Sequence, residues 1–385
     1  MKRIYMDHAA TTPMAQEVLE AMKPHFSEKF GNASSLHSFG REAREALEKA
    51  RREMAGMIGA RPNEIIFTSG GTESDNLAIK GIAIANKSKG NYIITSKIEH
   101  HAIHEPCEWL KKQGFKITYL DVNKEGMINP SDVEKAITKD TILVSIMHAN
   151  NEIGTIEHIE EIGRICRKHK VYFHTDAVQT FGKIPIDVKK MNIDMLSASS
   201  HKLYGPKGVG LFFLGQDVKI EPIQHGGGHE SGMRSGTENV PGVIGFAKAM
   251  ELATKNMAKE SERETKLRDK LITEILKIEG SHLTGHAKER LPNNASFYFD
   301  GIEGEAMLIR LDEKGIAAST GSACSSKSLE PSHVLTAIGL KPEQAHGSLR
   351  ITIGKDNTEQ DIEYVIEQVR SIVNSLRKIS PFKRW

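Results

Sequence analysis

The 385-residue sequence has few cysteines: Cys107, Cys166 and Cys324. The number is odd and no pair has C-x-x-C spacing, a poor match to a disulfide framework or a thiolate zinc site. Free thiols in a reducing compartment fit better. Long hydrophobic runs are also missing. Nowhere do 18 apolar residues follow one another, so no membrane-spanning helix is expected. The opening MKRIYMDHAATTP reaches Pro13 without the apolar core of a secretory signal, and the expected location is cytoplasmic. An excess of one charge is absent too. Lys and Arg number 52 against 50 Asp and Glu, and no basic run is interleaved with aromatics, so nucleic acid is not the expected ligand. There is no internal repeat or low-complexity tract.

What is present reads as an ordinary soluble protein, 38% hydrophobic and 26% charged. Its length exceeds what one core serves, which favours two domains. Seven short runs read as strands: EIIFTS (64–69), NYIITS (91–96), FKITYLDV (115–122), TILVSIMH (141–148), VYFHTD (171–176), DMLSAS (194–199) and VGLFFLG (209–215). Several are apolar on both faces, as in a parallel sheet covered by helices on each side. Amphipathic segments at 72–87, 99–113 and 157–169 lie between them. The alternation implies a doubly wound α/β domain. From Val243 to Glu279 the chain turns polar and helix-prone, the expected spine leading into a second, smaller α+β unit.

The chemistry gathers at the strand ends. In FTSGGTESDNLAIKG a strand stops at Ser69, two glycines follow, and a helix starts at Thr72 or Glu73. Such a junction offers free N–H groups and a positive helix end to a phosphate, although a plain helix cap reads the same way. In FHTDAVQT, Asp176 ends a strand and Gln179 follows three residues on. Ligands of open α/β sheets bind just outside such ends. In SASSHKLYGPKGVG, Lys202 lies between a strand end at Ser199 and the Gly205–Pro206 turn, beside His201. It is a candidate amine nucleophile, with an exposed salt-bridging lysine as the alternative. Together they supply a phosphate cradle, a carboxylate and a lysine in the order pyridoxal 5'-phosphate needs. The carboxylate keeps the pyridine nitrogen protonated and the lysine holds the aldehyde.

At this point the sequence resembles the cysteine desulfurases of the NifS/IscS type, class V aminotransferase-like members of the fold-type I pyridoxal phosphate enzymes. The resemblance runs nearly end to end, through DHAATTP, FGNASSLHSFG, TSGGTESDNLAIKG, EHHAIH, HANNEIGT, HTDAVQTFGK, SSHKLYGPKGVG, HGGGHESGMRSGTEN, TGSACSS and HGSLRITIG. It implies a large domain over 14–255 with a mostly parallel seven-stranded sheet. Residues 1–13 and 256–385 would form a smaller α+β domain carrying a mobile cysteine loop at about 320–334. It further implies that Lys202 carries the cofactor, Asp176 pairs with its ring nitrogen, His100 stacks on the ring and Gln179 bonds its phenolic oxygen. Gly71 stands where an alanine is common in the phosphate loop, and Thr72, Ser199 and His201 would hold the phosphate. Thr237 would reach the phosphate of a second subunit, hence a homodimer. Asn151 and Arg350 match substrate-holding positions, Arg350 supplying a planar fork for an α-carboxylate.

Cys324, flanked by Gly321, Ser322, Ser325 and Ser326, has little local bulk to bury it, as expected of a segment that swings between cofactor and acceptor. It is the expected nucleophile, taking sulfur from L-cysteine as a persulfide and leaving L-alanine, with His100 a candidate for its proton. Cys107 and Cys166 read as packing residues. The implied acceptor is an iron–sulfur scaffold protein or a tRNA-thiolation route. Three alternatives remain at this point: a selenocysteine lyase or related pyridoxal phosphate lyase, a non-catalytic sulfur carrier or docking protein on the same fold, and a metal site. His100 and His104 are spaced i, i+4 but lack the glutamate of HExxH, and no metal is expected.

Overall fold

The computed structural model describes residues 3–321 and 331–379. Cys324 lies outside them. The strands are β1 (Ile4–Tyr5), β2 (Ile65–Thr68), β3 (Tyr92–Ser96), β4 (Lys116–Leu120), β5 (Thr141–Ser145), β6 (Tyr172–Asp176), β7 (Met195–Ser199), β8 (Gly210–Leu214), β9 (Ser281–Leu283), β10 (Asn294–Phe299), β11 (Ile316–Ala317) and β12 (Ser348–Thr352). A seven-stranded sheet has the order β2-β8-β7-β6-β5-β3-β4. Strands β3 to β7 pair in parallel, while β8 runs antiparallel to both β7 and β2. The chain is therefore α/β with a mostly parallel sheet.

The sequence explains the arrangement. β2, β5 and β7 are buried along their whole length, because IIFT, TILVS and MLSAS leave neither face polar enough for water. The single antiparallel strand β8 returns β2 to the direction of β7. The C-terminal ends of β2, β3, β5, β6 and β7 thus share one edge, and the connections that follow them share one crevice.

Helix Gly71–Asn76 continues through a π-helical turn, Leu77–Gly81, into Ile82–Asn86. Helix His101–Lys112 is capped by His100, whose Nδ1 accepts the Ala102 amide at 3.1 Å. The long helix Val240–Ile275 begins at Asn239, which caps Gly242. Its first turns place Val243, Phe246 and Met250 in the core of the large sheet, and its last turns place Leu271 and Ile275 in a second core. The polar stretch between them bridges the two. That second core packs the antiparallel sheet β12-β10-β9 against Met307, Leu311 and the buried stripe Ile362, Val365, Val369 and Val373. No helix among the described residues is long and apolar enough to cross a membrane.

One segment ties the two cores together. After β1, which pairs with β11, residues 7–12 form a strap. The Ala9 amide bonds Thr352 Oγ1 at 2.9 Å, and the Thr12 amide and hydroxyl both donate to the His201 carbonyl at 2.9 Å.

Candidate active site

The crevice at the strand ends encloses a cavity of about 280 Å³ lined by Gly71, Thr72, His100, Asn151, Asp176, Gln179, Ser199, His201, Lys202 and Arg350. Residues at the ends of five strands of the large sheet and one on β12, separated by up to 279 positions, therefore meet. Ten of the expected site residues are among them. Thr237 is not: it is exposed and lies outside this cavity. Cys324 falls outside the described residues.

Asp176, the last residue of β6, is 6% exposed. Its Oδ1 accepts the Val178 amide at 2.8 Å, so the carboxylate is aimed by its own backbone turn. Burial pushes its pKa up to about 6, with the Val178 bond and the Lys202 charge opposing the rise. A carboxylate held this way at a cavity wall asks for a cationic N–H partner.

Lys202 closes a 3-10 turn, Ser200–Lys202, directly after β7. Its Nζ donates to the carbonyl oxygens of Ala9 and Ala10 at 2.6 and 2.8 Å. Gln179 Nε2 donates to the same Ala9 carbonyl at 3.0 Å. The strap thus holds both side chains. His201 Nδ1 lies 3.1 Å from Thr11 Oγ1.

Both imidazoles at the wall are neutral at physiological pH. Burial, with the Lys202 charge adding to it, lowers His100 and His201 to about 4 each. They serve as neutral donors and acceptors there. The positive charge is left to Lys202 and Arg350.

Arg350, on β12, is 3% exposed. Its Nη1 donates to the Asn151 carbonyl at 3.0 Å and its Nη2 to Asp7 Oδ1 at 2.9 Å. Its Nε is buried with no partner among the described residues, a donor left over for a ligand oxygen. Asn151 is placed by its neighbour: Asn150 Oδ1 accepts the Glu152 and Ile153 amides, and its Nδ2 donates to the Ile98 carbonyl at 2.8 Å.

The phosphate end is built from backbone. At Gly71 a Cβ would stand 2.6 Å from Val178 Cγ2, so the helix start lies against the Asp176 turn too closely for a side chain. Thr72 and Ser199 border the same end. Glu73 accepts the Ser69 amide and Arg234 Nε, both at 2.9 Å, which keeps its carboxylate turned into its own ion pair. A buried carboxylate, a lysine and a tight helix N-terminus around one cavity are the donor set that pyridoxal phosphate requires, and the residues present fit it.

Comparison with known proteins agrees. The Aminotransferase class-V family model matches residues 4–365. The chain belongs to this family, among its IscS-type cysteine desulfurases. A protein named cysteine desulfurase IscS from Dictyoglomus turgidum is 56% identical over 386 residues, covering 100% of this chain and 98% of that one. A solved NifS-like protein superposes with a TM-score of 0.92 at 40% identity, covering 97% of this chain and 100% of its own. A second solved structure, SspA in complex with cysteine, gives a TM-score of 0.80 at 39% identity, covering 91% and 99%. The family is pyridoxal phosphate-dependent.

Three features of the site were not read from the sequence. The strap carbonyls of Ala9 and Ala10 act through backbone and carry no side-chain signal. Asp75 lines the cavity and is fully buried, where burial first and the Asp176 charge second raise its pKa. Its acid in a helix interior, three residues after Thr72, was a visible signal. Asp7, the partner of Arg350, was quoted within DHAATTP but given no role. Cys107 and Cys166 are free and buried. Burial pushes the Cys107 thiol up to about 12 and the Cys166 thiol higher still, so neither supplies a thiolate at neutral pH.

Proposed function

We propose that this cysteine desulfurase takes the sulfur of L-cysteine onto Cys324 and releases L-alanine. The observation that carries the reading is the convergence of Asp176, Lys202 and the unpartnered Arg350 Nε on one cavity. Lys202 would hold the cofactor covalently, Asp176 its ring nitrogen, His100 its ring face and Gln179 its phenolic oxygen. Gly71, Thr72, Ser199 and His201 receive the phosphate, joined by Thr237 of a second copy in a homodimer. Bound pyridoxal phosphate supplies an electron sink for the bond broken at the substrate α-carbon.

The chain's own residues do the rest. Arg350 and Asn151 orient the substrate carboxylate. Lys202 would take the α-proton of the substrate. His100 takes the thiol proton of Cys324, burial keeping its imidazole unprotonated beforehand. The Cys324 thiolate attacks the substrate sulfur: an S–S bond forms as the C–S bond breaks, its electron pair staying with carbon, which is then protonated to alanine. The resulting persulfide serves a downstream acceptor, an iron–sulfur scaffold protein or a tRNA-thiolation partner, in the cytoplasm. In the division proposed here, 14–255 form the large domain and 1–13 with 256–385 the small one.

The test is alanine production from L-cysteine under reductant by the cofactor-loaded protein. Wild type should make alanine and sulfide in equal amounts, while Lys202→Ala and Cys324→Ser should each fall by two orders of magnitude or more, the range for loss of a nucleophile or general base (about 10²–10⁴-fold). Alanine formation at the wild-type rate by Cys324→Ser would remove Cys324 from the reaction.

A further inference from the structure

Lys202 also lines a second cavity, of about 240 Å³, which shares no other residue with the first. Its walls come from the strap at His8, from the connection after β6 at Lys183, from the long helix at Glu264 and from the small-sheet side at Asn293. It sits where the two cores meet.

Its polar groups are unfinished. Lys183 Nζ is buried with no hydrogen-bond partner among the described residues, and so is Asn293 Oδ1. Glu264 is 9% exposed and attracts Lys183 electrostatically, yet no hydrogen bond joins them, since the ammonium has no such partner among the described residues. A buried ammonium without an acceptor is costly, and so is a buried carbonyl without a donor. A guest with an anionic end for Lys183 and a cationic N–H end for Glu264 and Asn293 would settle all three groups while leaving the cavity's net charge unchanged. Ala253 and Ile353, also on the wall, suit a short aliphatic body.

We propose that this cavity is a second binding site for a small free α-amino acid, its carboxylate on Lys183 and its ammonium between Glu264 and Asn293. The reading goes beyond the desulfurase assignment and does not depend on Cys324. The site has a route to the chemistry, because His8 and Thr12 on its wall belong to the strap whose Ala9 and Ala10 carbonyls hold Lys202. An amino acid seated there would steady the strap.

The test titrates the cofactor-loaded protein with L-proline by calorimetry while the visible absorbance of the cofactor is recorded. Proline keeps the zwitterion and two N–H donors, but its secondary amine cannot form the neutral imine that a primary amine makes with the cofactor aldehyde. The expected result is one saturable site with unchanged absorbance. Lys183→Met and Glu264→Gln should each weaken it at least 10-fold. Ala253→Leu, which keeps both charges and fills space, should abolish it, and this variant decides the matter if the charge variants fail to fold. Absence of saturable binding in wild type, meaning that water alone fills the cavity, overturns the proposal. So does binding that survives unchanged in Ala253→Leu.

Discussion

Lys202 Nζ and the Ala9 carbonyl oxygen, 193 residues apart in sequence, are 2.6 Å apart in space. The strap that supplies this carbonyl is pinned by Thr12, 3% exposed, whose hydroxyl donates to the His201 carbonyl at 2.9 Å and accepts the Tyr204 amide at 2.7 Å. Thr12→Val keeps the shape and removes both bonds. Two neutral hydrogen bonds contribute about 1–3 kcal/mol in total. The expected outcome is a stability loss of that order in urea titration, with a fall in cofactor affinity measured by absorbance. Unchanged cofactor affinity would show that the strap does not position Lys202.

Arg350 offers a second check. Its Asp7 and Asn151 partners fix the guanidinium and leave Nε for the substrate. Arg350→Gln removes the charged donor, and a charge-assisted hydrogen bond is worth about 1.5–3 kcal/mol. KM for L-cysteine should rise by roughly 10- to 100-fold, with the cofactor absorbance retained. A fall in kcat at constant KM would instead assign Arg350 to the chemical step.

Gly71 tests the phosphate end. In Gly71→Ala the new Cβ meets Val178 Cγ2 at 2.6 Å. Val178 is β-branched and its amide anchors Asp176, so it has little room to yield. Cofactor affinity should fall by about 10-fold, the order expected of overpacking costs of 1–3 kcal/mol. Restoration in Gly71→Ala/Val178→Ala would identify the clash as the cause.

Stability should depend on pH through Glu157. Its Oε2 accepts the Ile128 amide at 2.9 Å while Oε1 is buried with no partner among the described residues, and burial pushes its pKa up to about 8. A raised carboxylate pKa means that the folded state holds the proton longer than the unfolded chain. Its stabilising share is full below the unfolded value and is lost as pH rises through about 8. Glu157→Gln lacks this loss. Relative to wild type, the variant should gain about 2 kcal/mol or more in chemical denaturation between pH 5 and pH 9. A constant difference across that range would contradict the burial argument.

Much of this site was legible in the sequence because doubly wound sheets put their ligands at strand ends. Asp176 and the Ser69–Thr72 junction stood out by position, each with a plain helix cap as its alternative, while a role for Ser199 came only from the family resemblance. The seven strands of the large sheet sit inside the seven expected runs, as β6 (Tyr172–Asp176) sits within VYFHTD and β8 (Gly210–Leu214) within VGLFFLG. Periodicity did not reveal that β8 runs against its neighbours, since a buried strand reads alike in either direction. Nor did it reveal the strap, whose contacts join residues 9 and 10 to 202 through main-chain carbonyls that any residue type carries. The Lys183–Glu264 cavity was equally hidden. Each residue looks like a surface charge until the fold closes over both.

The most direct measurement of the central claim is a single turnover with one equivalent of L-cysteine, followed by mass mapping of the added sulfur. The expected result is one sulfur on the peptide that carries Cys324, none on those of Cys107 and Cys166, and one alanine per sulfur. Sulfur on either buried cysteine, or alanine formed without any sulfur on the chain, would contradict it.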